Sequence, residues 1–303
     1  MIQTKNLTKR FDSFTALNDI SCNISKGSIY GMVGSNGAGK STFLRLIAGV
    51  FRPDQGEVTI EGAPVWENTD VKSRLLFVPD ELYFLPGANL KRMESLYRAI
   101  YPRFDHDYLM NLLAKLKLSP IAPITSFSKG MKRQAAVALA LACRPDYLLF
   151  DETFDGLDPV MRAYVKNLIC EDVLSRNATA IITSHSLREL EDTCDQLALL
   201  HRGGLVLESD IQNLKTAQFK IQIAFSEEFD KSRFEALDPK HYVQHGSVAN
   251  FLVRGDRDEI RQKLAALSPI LLEVLPLSLE EVFTYEMEAL GYGFSAEEGG
   301  LMI

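Results

Sequence analysis

The sequence is short of three things, and each shortage closes a class of answers. It has four cysteines in 303 residues, Cys22, Cys143, Cys170 and Cys194. They are widely spaced, form no C-x-x-C pair and mostly fall in apolar surroundings. This argues for buried thiols in a reducing compartment rather than a disulfide framework or a zinc site. There is no excess of base, since Lys and Arg number 33 against 40 Asp and Glu, a net charge of -7. A wholesale nucleic-acid binder shows a basic domain or stripe, so no nucleic acid is expected as a partner. Long apolar runs are also missing. "AAVALALAC" at 135–143 stops far short of the about 20 residues that a membrane-spanning helix needs. No secretory leader is read at the start of the chain either. The expectation is a cytoplasmic protein whose role at a membrane goes through a partner.

What is present is enough apolar residue, 46%, for one main domain with an appendage. Residues 1–215 alternate short apolar runs with amphipathic stretches, the pattern of an α/β domain with a mainly parallel sheet. "SIYGMVG", "YLLF" and "ATAIITS" read as strands covered on both faces, and "LRLIAGV", "KGMKRQAAVALALAC" and "AYVKNLICEDVL" as helices. From Phe219 the texture changes to an order β-α-β-β-α-β, a split βαβ unit. In it "DKSRFEAL" reads as a helix and "HYVQHGSVANFLVRG" as a tight hairpin. "SLEEVFTYEMEAL" closes it as a helix, with Ser278 and Glu281 spaced as a capping box. The expected organisation is an α/β domain over 1–215, a small α+β domain over 216–290 and a frayed tail over 291–303.

Within the first part, "GMVGSNGAGKST" follows a strand and opens a helix. Gly34, Gly39, Lys40 and Ser41 match G-x-x-x-x-G-K-[ST] in the context that the motif requires. Its spacing follows from what it must hold. The backbone of Gly34, Ser35, Asn36, Gly37, Ala38 and Gly39 wraps phosphates, with Thr42 just inside the helix, Lys40 reaches the outer phosphates, and Ser41 offers a hydroxyl to Mg²⁺. "YLLFDE" places Asp151 and Glu152 at the carboxyl end of a buried strand, where an open α/β sheet presents its ligands. Alone such a pair is more often a cap or a solvated turn. Beside a P-loop, Asp151 becomes a holder of Mg²⁺ and Glu152 a base for the attacking water. His185 ends "TAIITSH", and a lone histidine there is usually structural.

One helix start remains odd. "TSFSKGMKRQ" at 125–134 opens with serines, a glycine and three positive charges. Ser126 or Ser128 suits an N-cap, but cations sit badly at the positive end of a helix dipole unless an anion comes there. Lys132 and Arg133 read most simply as a solvated basic face.

Taken in order, these motifs make residues 1 to about 215 resemble the nucleotide-binding subunits of ABC transporters. "FSKGM" resembles the family's signature sequence, "GLDP" at 156–159 its D-loop, His185 its switch histidine and Phe11 the aromatic on which adenine stacks. The resemblance implies a P-loop NTPase cassette with a helical signature subdomain and a small C-terminal α+β appendage. It also implies ATP and Mg²⁺ as cofactors, and a homodimer or heterodimer in which Ser128 and the Gly130 backbone serve the neighbour's γ-phosphate. The partner would be an integral membrane permease, placing the chain peripherally on the inner face of the cell membrane. Three positions depart from the family: Lys129 for a glycine, Met131 for a glutamine, and Asp80, in "LFVPDEL", for the glutamine of the Q-loop. There Asp80 would be an extra carboxylate near Mg²⁺ and the γ-phosphate, a ligand or an electrostatic cost, with Glu81 the alternative register. The rivals are an ABC ATPase not coupled to transport, and a P-loop kinase, for which "FSKGM" and "GLDP" would both be accidents.

Overall fold

The structure, a computed structural model, describes residues 1–211 and 218–289. The chain divides into two compact units, Met1–Glu208 and a second that begins at Ser209. The expected boundary after 215 and the expected tail from 291 both lie outside the described residues.

The first unit is built on two sheets. One is antiparallel and formed by β1 (Ile2–Phe11), β2 (Phe14–Ile24), β4 (Gln55–Ile60) and β5 (Ala63–Pro64), in the order β2-β1-β4-β5. The sequence reading had merged this region into the parallel sheet. These strands carry alternating or broken burial, and β1 pairs with β2 through several register shifts, which blur a period-2 pattern. The other sheet has the order β10-β9-β3-β8-β7-β6, with β3 (Ile29–Val33), β6 (Leu75–Val78), β7 (Tyr147–Asp151), β8 (Thr179–Ser184), β9 (Gln196–His201) and β10 (Gly204–Asp210). Here β6, β7, β8, β3 and β9 run parallel. All residues of β3, β7 and β8 are buried, as expected of strands with both faces covered. Between the two sheets, Phe43, Leu44 and Ile47 of helix α1 (Lys40–Ile47) join Tyr30, Met32, Leu149 and Ile181 in one apolar core. Each such side chain contributes about 1.5–3 kcal/mol by leaving water.

Register decides where the chemistry sits. Val33 pairs with Ser184, Asp151 with Thr183 and Val78 with Phe150. Gly34, Glu152 and His185 therefore leave the sheet at one carboxyl edge. At the opposite end Arg74 joins Asp146 at 2.6 Å and Glu61 at 2.8 Å. Hydrogen bonds from Arg74 and Lys26 hold the Glu61 carboxyl down to about 2.

Helices α3 (Leu90–Ile100) and α4 (His106–Lys115) pack on α5 (Lys129–Ala142), forming the helical part expected around the signature. Helix α6 (Pro159–Arg176) starts with Pro159, and its N-cap Asp158 accepts from Val160 and Met161, so "GLDP" is a turn leading into a helix.

The second unit carries β11 (Gln218–Ala224), β12 (Lys240–His245), β13 (Val248–Arg254) and β14 (Leu271–Pro276) in the order β12-β13-β11-β14, all antiparallel. With α8 (Arg257–Ala265) between β13 and β14, this is the split βαβ order. The first connection differs from expectation. Residues Lys231–Leu237 form a 3-10 helix, capped by Asp230 and stopped by Asp238 in the left-handed region. Phe234 is wholly buried among Phe225, Phe229 and Phe251, and the aromatic packing sets the path. The capping box is present at the start of α9 (Leu279–Ala289): Ser278 and Glu281 exchange bonds of 3.0 and 3.3 Å.

Candidate functional site

The loop from Gly34 to Gly39 joins β3 to α1, with Ser35, Asn36 and Gly37 exposed. Ala38 folds back to donate to the Ser35 carbonyl at 3.1 Å. Gly39 caps α1 at φ 110°, and a Cβ there would meet the Ala16 carbonyl at 2.6 Å, so only glycine fits. The same approach sets the β1–β2 hairpin against the loop. Phe11, on that hairpin, is 40% exposed and rests edge-on against Phe51 at 5.4 Å. Phe14, its partner across the turn, is also exposed. No acidic residue stands in the first turn of α1, which leaves the positive end of its dipole for an anion.

Lys40 is buried and turned inward. Its Nζ donates to the carbonyls of Gly34 at 2.5 Å and Ser35 at 3.2 Å, and it pairs with Glu152 Oε1 at 3.1 Å. Ser41 Oγ and Thr183 Oγ1 both donate to Asp151 Oδ1, at 3.0 and 2.8 Å. Asp151 is fully buried, and its Oδ2 has no hydrogen-bond partner. A buried carboxylate oxygen left so is costly unless something else meets it. Thr42 follows in α1, partly buried.

Glu152 sits at φ 45°, a left-handed conformation that costs a non-glycine residue about 1 kcal/mol or more. The Thr183 hydroxyl, accepting from the Glu152 N–H at 3.2 Å, fixes it there. Its Oε2 accepts from the His185 backbone N–H at 3.2 Å and from His185 Nδ1 at 3.0 Å. Because a carboxylate only accepts, Nδ1 is the protonated nitrogen in this bond. Asp155 Oδ1 lies 3.9 Å from the same ring. Thus Lys40, Ser41, Asp151, Glu152 and His185 meet as one set, with Thr183 and Asp155 as members that the sequence reading missed. The signal for Thr183 was its place two residues before His185 on a buried strand. Asp155 carried none.

The start of α5 is a separate arrangement. Ser128 is the N-cap, its Oγ accepting from the Met131 N–H at 3.2 Å. Gly130 lies against the turn after β7: a Cβ on it would meet the Gly156 carbonyl at 3.1 Å. Lys129 is exposed and runs alongside Gly156. Arg133 requires a correction. It is 1% exposed, so it is no part of a solvated basic face. Its guanidinium donates to the carbonyls of Pro79 and Asp80 and, at 2.7 Å, to the Asp80 carboxylate. Asp80, expected near Mg²⁺ and the γ-phosphate as a ligand or an electrostatic cost, has its Oδ1 engaged by Arg133. Buried guanidinium needs a counter-charge, and Asp80 supplies it.

Comparison with known proteins bears on the chain's family and fold. The ABC transporter family model fits residues 17–155. The ABC transporter ATP-binding protein YtrB of Bacillus subtilis (strain 168) is 32% identical over 93% of this chain and 97% of its own length. The bacitracin transport ATP-binding protein BcrA of Bacillus licheniformis is 30% identical over 81% of this chain and 80% of its own. The solved dimer of the cassette MJ0796 in a post-hydrolysis state, bound to ADP and Pi, shares the fold with a TM-score of 0.63 at 22% identity, over 70% of this chain and 99% of that one. On the likeness to YtrB along nearly its whole length, the chain belongs to the family of ABC transporter ATP-binding subunits.

Proposed function

We propose that the chain hydrolyses ATP as one half of a dimer and drives a separate membrane-embedded permease, which holds it at the inner face of the cell membrane. Among the described residues no helix is long and apolar enough to cross a membrane, so movement of a substrate needs that partner. Relatives named for bacitracin and lantibiotic transport support the coupling. A homodimer or a heterodimer with a second ATP-binding chain serves equally.

The observation that carries the reading is the buried set around Lys40. In this state Lys40 is held by two carbonyls and by Glu152. An arriving γ-phosphate offers Lys40 a stronger, doubly charged partner. Lys40 then exchanges Glu152 for phosphate, and the Glu152 carboxylate is released toward the reacting edge, still oriented by His185. Freed of its cation, it takes a proton from water as that water attacks the γ-phosphorus and the bond to the bridging oxygen breaks, with ADP leaving on that oxygen. Phe11 offers its ring face to adenine, a contact governed by area rather than by a hydroxyl. Mg²⁺ fits the donors present: Ser41 Oγ and Asp151 are hard oxygen ligands, and the unpartnered Asp151 Oδ2 suits a hydrated cation. Bound there, the ion would offset charge on the phosphate oxygens. Ser128, Gly130 and the positive end of α5 face the partner subunit's nucleotide, which answers the basic helix start.

Glu152→Gln tests this. An amide keeps the shape but takes no proton, so hydrolysis should fall on the order of 10²-fold or more. Binding should persist or tighten, because Lys40 loses its competing carboxylate. Size-exclusion chromatography with ATP should then show a dimer where wild type shows one only transiently. Wild-type turnover in this variant, with Lys40→Ala excluding a contaminating ATPase, would sink the mechanism.

A further inference from the structure

Asp80 and Glu152 occupy equivalent places on neighbouring strands. Val78 pairs with Phe150 in the parallel register of β6 and β7, and each carboxylate lies two residues beyond its paired residue. The sheet therefore delivers a second carboxylate to the edge at which a phosphate is hydrolysed. Unlike Glu152, Asp80 is exposed over 54% of its side chain, and its Oδ1 is held by Arg133 Nη2 at 2.7 Å. Nη1 of the same guanidinium bonds the Pro79 and Asp80 carbonyls at 3.2 and 2.9 Å. Three acceptors from one loop are thus gathered by one planar fork, which lysine could not reproduce. Arg133 projects from α5, five residues beyond Ser128, so the fork also joins the loop after β6 to the helix that begins at Ser128.

We propose that Arg133 is a positioning residue for ATP hydrolysis: by holding the Asp80 carboxylate it keeps that charge from the phosphate site. The inference rests on the function proposed above. An unpaired carboxylate one strand from Glu152 repels the γ-phosphate and competes for its cation, whereas a carboxylate paired with guanidinium carries no net charge. The acid at position 80 and the arginine at position 133 are on this view one device.

The test is a double-mutant cycle on the full chain, reading kcat, KM for ATP and the Mg²⁺ requirement. Arg133→Gln frees the carboxylate and should raise KM for ATP on the order of 10-fold, as neighbouring charges in one network do. Asp80→Asn should leave kcat and the Mg²⁺ requirement within about 3-fold of wild type. In the double variant KM should return to near the wild-type value, because the repelling charge is gone. If the double variant stays as impaired as Arg133→Gln, Arg133 is merely structural and the proposal fails. It fails equally if Asp80→Asn alone lowers kcat on the order of 10²-fold, since Asp80 then acts on the cation or the water directly. Should Arg133→Gln not fold, Asp80→Asn still decides. The proposal requires a lowered melting temperature, from a buried guanidinium without its counter-charge, together with intact kinetics, and the opposite pattern overturns it. Lys40→Ala and Glu152→Gln run alongside: if both retain turnover, the proposed function itself is wrong.

Discussion

The carboxyl edge of the parallel sheet and the first turn of α5 both present a helix N-terminus, yet their polar groups are handled in opposite ways. At the sheet edge Lys40, Ser41, Asp151, Glu152 and His185 satisfy one another inside a single chain, leaving only Asp151 Oδ2 unmet. At α5 the Ser128 oxygen serves its own helix, Gly130 lies against Gly156, and an exposed lysine stands beside them. The first is an assembled site that nucleotide must enter by displacing partners. On the function proposed above, the second is a surface that waits for a partner subunit to bring phosphate to it. That reading separates two halves of one reaction within the chain, and it would give a physical reason for a dimer.

The comparison breaks most completely at Lys40. Lys40→Ala removes the buried cation of the P-loop, and its loss should lower ATP affinity by about 3 kcal/mol or more, on the order of 10²-fold. Calorimetry checks this, and near-normal affinity would show that the edge does not depend on its lysine. Ser128→Arg attacks the other half. It should lower hydrolysis on the order of 10²-fold while leaving each chain's ATP affinity near wild type. Mixed with Lys40→Ala, it should recover part of the activity, because the mixed dimer keeps one intact site. A mixture as inactive as its parents, with mixed dimers shown to form, would confine Ser128 to its role as an N-cap.

The smallest effect lies away from both halves, at Glu61. A carboxyl whose folded-state pKa is depressed stabilises the fold above its unfolded value, and that contribution is lost as pH falls through the folded value. For Glu61 the window runs from 4.5 down to about 2. Glu61→Gln should flatten the acid limb of a pH–stability curve in that window and lower stability at neutral pH by a similarly small amount, since the group is exposed and the bridge is screened. An unchanged acid limb would show that the Arg74 bridge adds nothing to stability.

Much of the edge was legible because its chemistry demands fixed spacing. The P-loop, Asp151–Glu152 and His185 each follow an apolar run that could only be a buried strand, and the register aligned them as read. Arg133 was not legible. A buried arginine and a solvated one look alike until the acceptors are placed, and the nearest acceptors, at 79 and 80, are over fifty residues away in sequence. Phe11 was read from the family's pattern, whereas the antiparallel sheet that carries it was hidden by register shifts in β1. The 3-10 helix at Lys231–Leu237 reads as α from its pattern, and only the place of Phe234 in the aromatic core decides otherwise.

Lys129 stands where a glycine is usual, and the structure shows what admits it. Gly156 has φ 74°, and a Cβ there would lie 3.0–3.3 Å from three carbons of the lysine side chain. The lysine occupies space that a side chain at 156 would need. The positive φ holds position 156 to glycine in any case, and that glycine leaves the room along which a long side chain at 129 can lie. A helix start and a turn 27 residues apart in sequence are thus tied, and aligned relatives with a long residue at 129 should keep glycine at 156.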